Sequence, residues 1–143
     1  MAVWNSFEIG KSLHNPAVAD GSGIAAVSRI RMSMEILWIA ADGSVQNNNF
    51  YDGKGWQRFE LAPRKSAVPG GIAAISRLPG HMEVWWTDPA GSIEGAFFYD
   101  NIGHWNRYQL APNGSATPGS AICAQSRLPN VMNVWWIGAS GSI

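Results

Sequence analysis

Three kinds of side chain recur in this sequence at fixed spacing, and together they suit the recognition of hydroxyl groups. An arginine follows a serine at Ser28-Arg29, Ser76-Arg77 and Ser126-Arg127. A guanidinium is a rigid fork of donors matched to ring and hydroxyl oxygens; its other use at a strand end is to pin a loop carbonyl. A polar residue follows a methionine at Glu35, Glu83 and Asn133, and two positions later stand Leu37, Trp85 and Trp135. Residues two apart on a strand share a face. An aromatic ring beside a polar acceptor suits a pyranose, whose axial C–H groups lie on the ring while its hydroxyls bond in the plane. Leu37 breaks the pattern, so a site using this position is expected to be weaker in the first repeat. Packing between repeats is the competing use of these tryptophans. The third recurring feature is Tyr51-Asp52 with Tyr99-Asp100, the latter followed by His104 just ahead of Trp105. Aspartate at such a turn also serves as a turn cap.

Bond-breaking chemistry finds no support. The carboxylates recur with the repeat and do not converge as the pair that acid–base glycoside cleavage needs. His14, His81 and His104 have neither metal-ligand spacing nor a repeated position. No phosphate-cradling glycine loop, no Gly-x-Ser-x-Gly elbow and no Ser-x-Asp-x-Gly-x-x-Trp box occurs. Asn113-Gly114-Ser115 fits a glycosylation sequon but reads as a turn. The expectation is a non-enzyme with no metal and no cofactor.

The elements that position these groups repeat as a block. Ser76-Arg77-Leu78-Pro79, Met82-Glu83-Val84-Trp85-Trp86 and Gly91-Ser92-Ile93 form one copy. Ser28-Arg29-Ile30, Met34-Glu35-Ile36-Leu37-Trp38 and Gly43-Ser44-Val45 form the copy before it, and Ser126-Arg127-Leu128-Pro129, Met132-Asn133-Val134-Trp135-Trp136 and Gly141-Ser142-Ile143 the copy after it. Ser28 and Ser76 are 48 residues apart, Ser76 and Ser126 are 50 apart. Periods of this size mark stacked units that cannot bury their apolar faces alone. Within one unit, residues 71–77, 82–87, 93–99 and 105–110 read as short strands, each bounded by Gly, Pro, Asn or Asp. Along the second of them Met82, Val84 and Trp86 share one face, expected to be core. Four short antiparallel strands per repeat describe a propeller blade, so the fold class is all-β.

Bulk composition bounds the partners. The 143 residues suit one domain, and a 46% hydrophobic content builds a real core. Ten basic and ten acidic side chains cancel, leaving no electrostatic basis for binding nucleic acid or an anionic membrane. No apolar run approaches the ~20 residues of a membrane-spanning helix, and no basic region precedes an apolar stretch as in a secretory signal. Eight tryptophans exceed what core filling needs. The single cysteine, Cys123, excludes an internal disulfide and reads as a small buried replacement of Ala74.

The repeat divides the chain into a leading strand and loop (1–22), a first blade (23–70), a second (71–119) and an incomplete third (120–143). Trp4-Asn5-Ser6-Phe7-Glu8-Ile9 matches Trp56-Gln57-Arg58-Phe59-Glu60-Leu61 and is expected to be a fourth strand. Propellers close with about 4 to 8 blades, so two copies are expected to form a homodimeric ring of about six blades. The alternative is a segment excised or engineered from a longer protein.

The motif Ser-Arg-Leu-Pro-x-x-Met-Glu-Val-Trp-Trp-x-x-x-x-Gly-Ser-Ile continues through Phe97-Phe98-Tyr99-Asp100 and Trp105-Asn106-Arg107-Tyr108-Gln109-Leu110-Ala111-Pro112. It resembles the repeat of the Photorhabdus-type propeller lectins and is similar to the GlcNAc-binding mushroom lectin of Agrocybe. The resemblance spans nearly the whole sequence. It implies rings of about six or seven blades that bind fucose, galactose or GlcNAc at or between blades, without metal or cofactor. Carried over position by position, it makes Arg29, Glu35, Tyr51, Asp52, Arg77, Glu83, Trp85, Tyr99, Asp100, His104, Arg127, Asn133 and Trp135 the ligand candidates. Arg77, Glu83, Trp85, Tyr99, Asp100 and His104 are the best-furnished set. The leading expectation is a multivalent carbohydrate-binding protein. The second is a structural or protein-interaction propeller whose tryptophans are all core, and the third a propeller glycosidase.

Overall fold

Ten short strands and one helical turn make up the computed structural model, which describes residues 6–143. The first blade comprises β1 (Ile24–Val27), β2 (Ser33–Ile39), β3 (Val45–Tyr51) and β4 (Gly55–Ala62), paired antiparallel in that order. The second comprises β5 (Ile72–Ile75), β6 (His81–Thr87), β7 (Ile93–Tyr99) and β8 (Trp105–Ala111) in the same order. The third contributes β9 (Ile122–Gln125) and β10 (Asn133–Trp136). The all-β class and the four-stranded antiparallel blade read from the sequence are therefore present.

Registers repeat as faithfully as the sequence does. Ile24 pairs with Trp38, Ile72 with Trp86 and Ile122 with Trp136. At the other end of the same pairs stand Val27 with Glu35, Ile75 with Glu83, and Gln125 with Asn133. The pairing of the third and fourth strands shifts after Val45 in one blade and after Ile93 in the next, a matching bulge. Strands β1, β5 and β9 lie side by side as the inner edge of the arc. There Gly23 N–H donates to Gly70 O at 2.8 Å and Gly71 N–H to Ser120 O at 3.1 Å. Gly70 sits at φ 144, and a Cβ would stand 1.9 Å from Gly119 O, so no side chain fits where the blades converge.

Packing occurs on both faces of a blade. Leu37, Ile39 and Val45 of the first blade meet Ile72, Val84, Trp86 and Ala96 of the second. Ala73, Trp85, Ile93 and Ala111 of the second meet Ala116 and Ile122, with Met132, Val134 and Trp136 beside them. Trp86 is core, as its strand face indicates. Trp85, expected to offer its ring to a ligand, is only 1% exposed. The reason is geometric: successive residues point to opposite faces, and a blade sandwiched between two neighbours has no free face. Trp135, at the same position in the third blade, is 41% exposed.

Two further expectations differ from the structure. Trp4 and Asn5, the start of the expected leading strand, lie outside the described residues; residues 6–8 are not strand, and α1 (Ile9–Leu13) is a short helix. It ends on His14 in the left-handed region (φ 53). Residues from Glu8 to Val18 line a hollow over Trp38, the face opposite to Leu37. Cys123 is exposed and occupies the register position of Ala73, not Ala74. It pairs across the ladder with Trp135, on the face that no further blade covers here. No helix among the described residues is long and apolar enough to cross a membrane.

Candidate functional site

A cleft of about 660 Å³ opens between the first and second blades. Its floor is built from β2 and β3, where alternation places Glu35, Asn47, Asn49 and Tyr51 on the face turned towards the second blade. Its far wall is Phe98, His104 and Trp105, from the end of β7, the following turn and the start of β8. Met82 lies between, and Gln57, Arg58 and Lys54 stand on the first-blade rim.

Tyr51 is the hub of the floor. Arg29 donates to its hydroxyl oxygen from Nε at 3.0 Å and from Nη2 at 2.8 Å, and that hydroxyl donates to Glu35 Oε1. Glu35 Oε2 accepts from Asn47 Nδ2 at 3.0 Å. Burial pushes the Glu35 carboxyl above its ordinary range, against the lowering effect of Tyr51, Asn47 and the Arg29 charge. Burial, then the negative Glu35, drives the Tyr51 hydroxyl up to about 12, so it stays a donor at neutral pH. A buried carboxylate is tolerated only when so compensated.

Arg29 also crosses the blade boundary. Its Nη1 pairs with Asp100 Oδ1 of the second blade, and its guanidinium lies over the Phe98 ring at 4.8 Å. Backbone bonds hold the pair in place: Gly80 N–H donates to Arg29 O at 2.8 Å, and Gly80 O accepts from Asp100 N–H at 2.9 Å. The first cleft thus brings together Arg29, Glu35, Tyr51 and His104, with Asp100 held beside it by Arg29; all five are candidates read from the sequence, on two different repeats. Asp52 is exposed at its turn and joins the assembly only by its backbone, its N–H donating to Met32 O at 3.3 Å.

The rest of the expected set lies elsewhere. Arg77 donates from Nη2 to the Tyr99 hydroxyl and from Nη1 to Asn130 Oδ1 of the third blade at 3.2 Å. Glu83 and Trp85 line a second, smaller cleft of about 340 Å³ with Tyr108, Leu110, Met132, Val134 and Trp136. Arg127 and Trp135 are exposed and Asn133 half-buried. Sequence reasoning missed Asn47, Asn49 and Gln57 because they fall in the variable third and fourth strands, outside the repeated motif. The signal available was a polar run, Gln46-Asn47-Asn48-Asn49, where the second repeat has Glu94-Gly95-Ala96-Phe97.

Among the described residues no cluster of His, Cys, Asp or Glu could hold a metal ion. The arrangement offers donors, acceptors and aromatic edges, and fits a neutral polyhydroxylated ligand better than a reacting one.

No family model and no curated protein matches the sequence. Solved structures do match the fold. The lectin BP39L from Burkholderia pseudomallei superposes with a TM-score of 0.68 at 18% identity, over 84% of this chain and 39% of that one. The Aleuria aurantia lectin, described as a six-bladed β-propeller with a novel mode of fucose recognition, gives 0.63 at 20% identity, over 88% and 40%. AofleA from Arthrobotrys oligospora gives 0.64 at 14% identity, over 85% and 36%. The chain thus spans about two fifths of the length of these structures. At such identities the likeness establishes the fold, and these blades are β-propeller blades.

Proposed function

We propose that the chain binds carbohydrate, with the cleft between its first two blades as the site. The observation that carries this reading is the inter-blade assembly of Arg29, Tyr51, Glu35 and Asn47 facing Phe98, His104 and Trp105. Fixed donors and acceptors opposite an aromatic wall match the two-sided character of a pyranose. The similarity to propeller lectins supports the same reading, as does the motif resemblance to the Photorhabdus-type repeat. The ligand class is a terminal monosaccharide of the fucose, galactose or GlcNAc type.

The second part of the proposal is a ring of about six blades made by two copies. Trp135 and Ile137 are 41% and 39% exposed, while Leu37 and Trp85, which share Trp135's place in the repeat, are 0% and 1% exposed. A first blade from another copy would bury this face as the second blade buries Leu37. The segment from Glu8 to Val18 then lies at the seam, over Trp38. Several weak sites per ring would gain avidity on a glycan-bearing surface.

Glycan-array binding together with haemagglutination that one free monosaccharide blocks is the expected result. Absence of binding to every terminal sugar would favour the second reading, a scaffold propeller. Trp85→Ala does not separate the two readings, because Trp85 is core in both.

A further inference from the structure

We infer that the two clefts of this chain differ in kind, and that Gly95 and Tyr108 withdraw the second cleft from hydroxyl recognition. The inference rests on the sugar-binding reading of the first cleft and names what distinguishes it.

One row of residues crosses each blade at the cleft. In the first blade it is Leu37, Asn47 and Phe59, in the second Trp85, Gly95 and Tyr108. The first row leads a chain of amides to the cleft. Asn47 donates to Glu35, and Asn49 donates from Nδ2 to Asn47 Oδ1 at 3.1 Å. Its direction is set at the buried end, where Glu35 Oε2 accepts from Asn47 Nδ2. Asn47 must turn its NH₂ towards Glu35 and its oxygen towards Asn49. Asn49 Oδ1 is left as a buried acceptor without a partner, on a residue lining the cleft. An unpaired buried acceptor calls for a donor, and a sugar hydroxyl supplies one.

The second row has no such end. Phe97 replaces Asn49 at the position paired with the conserved-register carboxylate: Glu83 faces Phe97 as Glu35 faces Asn49. Gly95 carries no side-chain amide, and the Tyr108 ring fills its space; a Cβ on Gly95 would stand 2.7 Å from Tyr108 Cζ. The Tyr108 hydroxyl donates to Glu83 Oε1 and accepts from Trp85 Nε1 at 2.7 Å. The polar atoms of Trp85, Tyr108 and Glu83 on this floor are spent on one another. A hydroxyl entering over this floor would lose water and meet Phe97 where the first cleft offers the Asn49 amide.

Indole N–H signals in a ¹⁵N spectrum separate the clefts, since Trp105 lines the first and Trp85 and Trp136 the second. The probes are methyl α-L-fucoside, methyl β-D-galactoside and GlcNAc, each titrated into the full chain. A saturable shift of Trp105 alone is expected, with affinity reduced at least tenfold in Asn49→Phe and in Asn49→Ala, and unchanged in Glu83→Gln. Saturable shifts of Trp85 or Trp136, or loss of binding in Glu83→Gln, would overturn the inference. A urea double-mutant cycle of Glu83→Gln with Tyr108→Phe tests the cap without any sugar. Non-additive midpoints are expected, and additive ones overturn the cap. A coupled cycle with no indole shift for any sugar would instead refute the sugar-binding reading and leave the cap standing.

Discussion

Arg29 of the first blade and Asp100 of the second form an ion pair across the blade boundary, with the Arg29 side chain 9% exposed and that of Asp100 47% exposed. The pair welds two repeats at the cleft that lies between them. Asp100→Asn removes the charge but keeps the shape. The loss in unfolding free energy should be about 1–2 kcal/mol, between the limits for exposed and buried pairs. Equilibrium urea unfolding measures it, and an unchanged midpoint would show that the pair contributes nothing.

Tyr51→Phe removes the hydroxyl that Arg29 and Glu35 share. A buried carboxylate oxygen then lacks its donor, which costs about 1–3 kcal/mol. Thermal unfolding should report a lowered midpoint, larger than that of Tyr99→Phe. The reason is that Tyr99 receives Arg77 but makes no bond to Glu83.

Trp86 and Trp85 point to opposite faces yet are 0% and 1% exposed. Replacing either by alanine should cost about 3–5 kcal/mol, a large share of the roughly 5–15 kcal/mol typical of a domain. Trp135→Ala, with the ring 41% exposed, should cost far less in a single chain. Equal costs at all three positions would mean that the third blade is already covered.

His81 has a pH signature. Burial, then the Arg77 charge, pushes its imidazole from 6.5 down to about 4. Between those values the unfolded chain binds the extra proton, so this group's contribution is lost as pH falls from 6.5 towards 4. Glu83, 3.3 Å away, runs the other way. Burial raises its carboxyl, so the folded chain holds that proton more firmly above 4.5 and gains stability as pH falls. Ser33 stands at the matching position of the first blade, opposite Tyr51 as His81 is opposite Tyr99. The His81→Ser variant should therefore be less acid-sensitive than the parent, compared by urea midpoint across that window. Parallel curves would contradict the assignment.

Much of this was legible in the residues because a repeat states its own register. Strand β7 spans the 93–99 stretch read from sequence, and the fixed Ser-Arg and Tyr-Asp spacing brought Arg29 and Tyr51 into one site. What sequence could not give was the partner across the boundary. Asp100 joins Arg29 and His104 shares a cleft with Glu35 only because of how one blade rotates onto the next. Of the two uses open for Trp85, packing and ligand contact, the sequence does not choose for a related reason, since single-strand alternation cannot show that both blade faces are covered. The strand pattern matched to Trp56-Gln57-Arg58-Phe59-Glu60-Leu61 covers residues 4–9, and the helix at Ile9–Leu13 begins where that pattern ends, beside β4.

The most direct test is a crystal structure of the chain with the monosaccharide that best blocks its binding to a glycan array. Density for the sugar between Asn49 and Trp105, within hydrogen-bonding reach of the Arg29, Tyr51 and Glu35 floor, is the predicted result. Sugar bound elsewhere on the blades, with that cleft holding only solvent at saturating concentration, would contradict it.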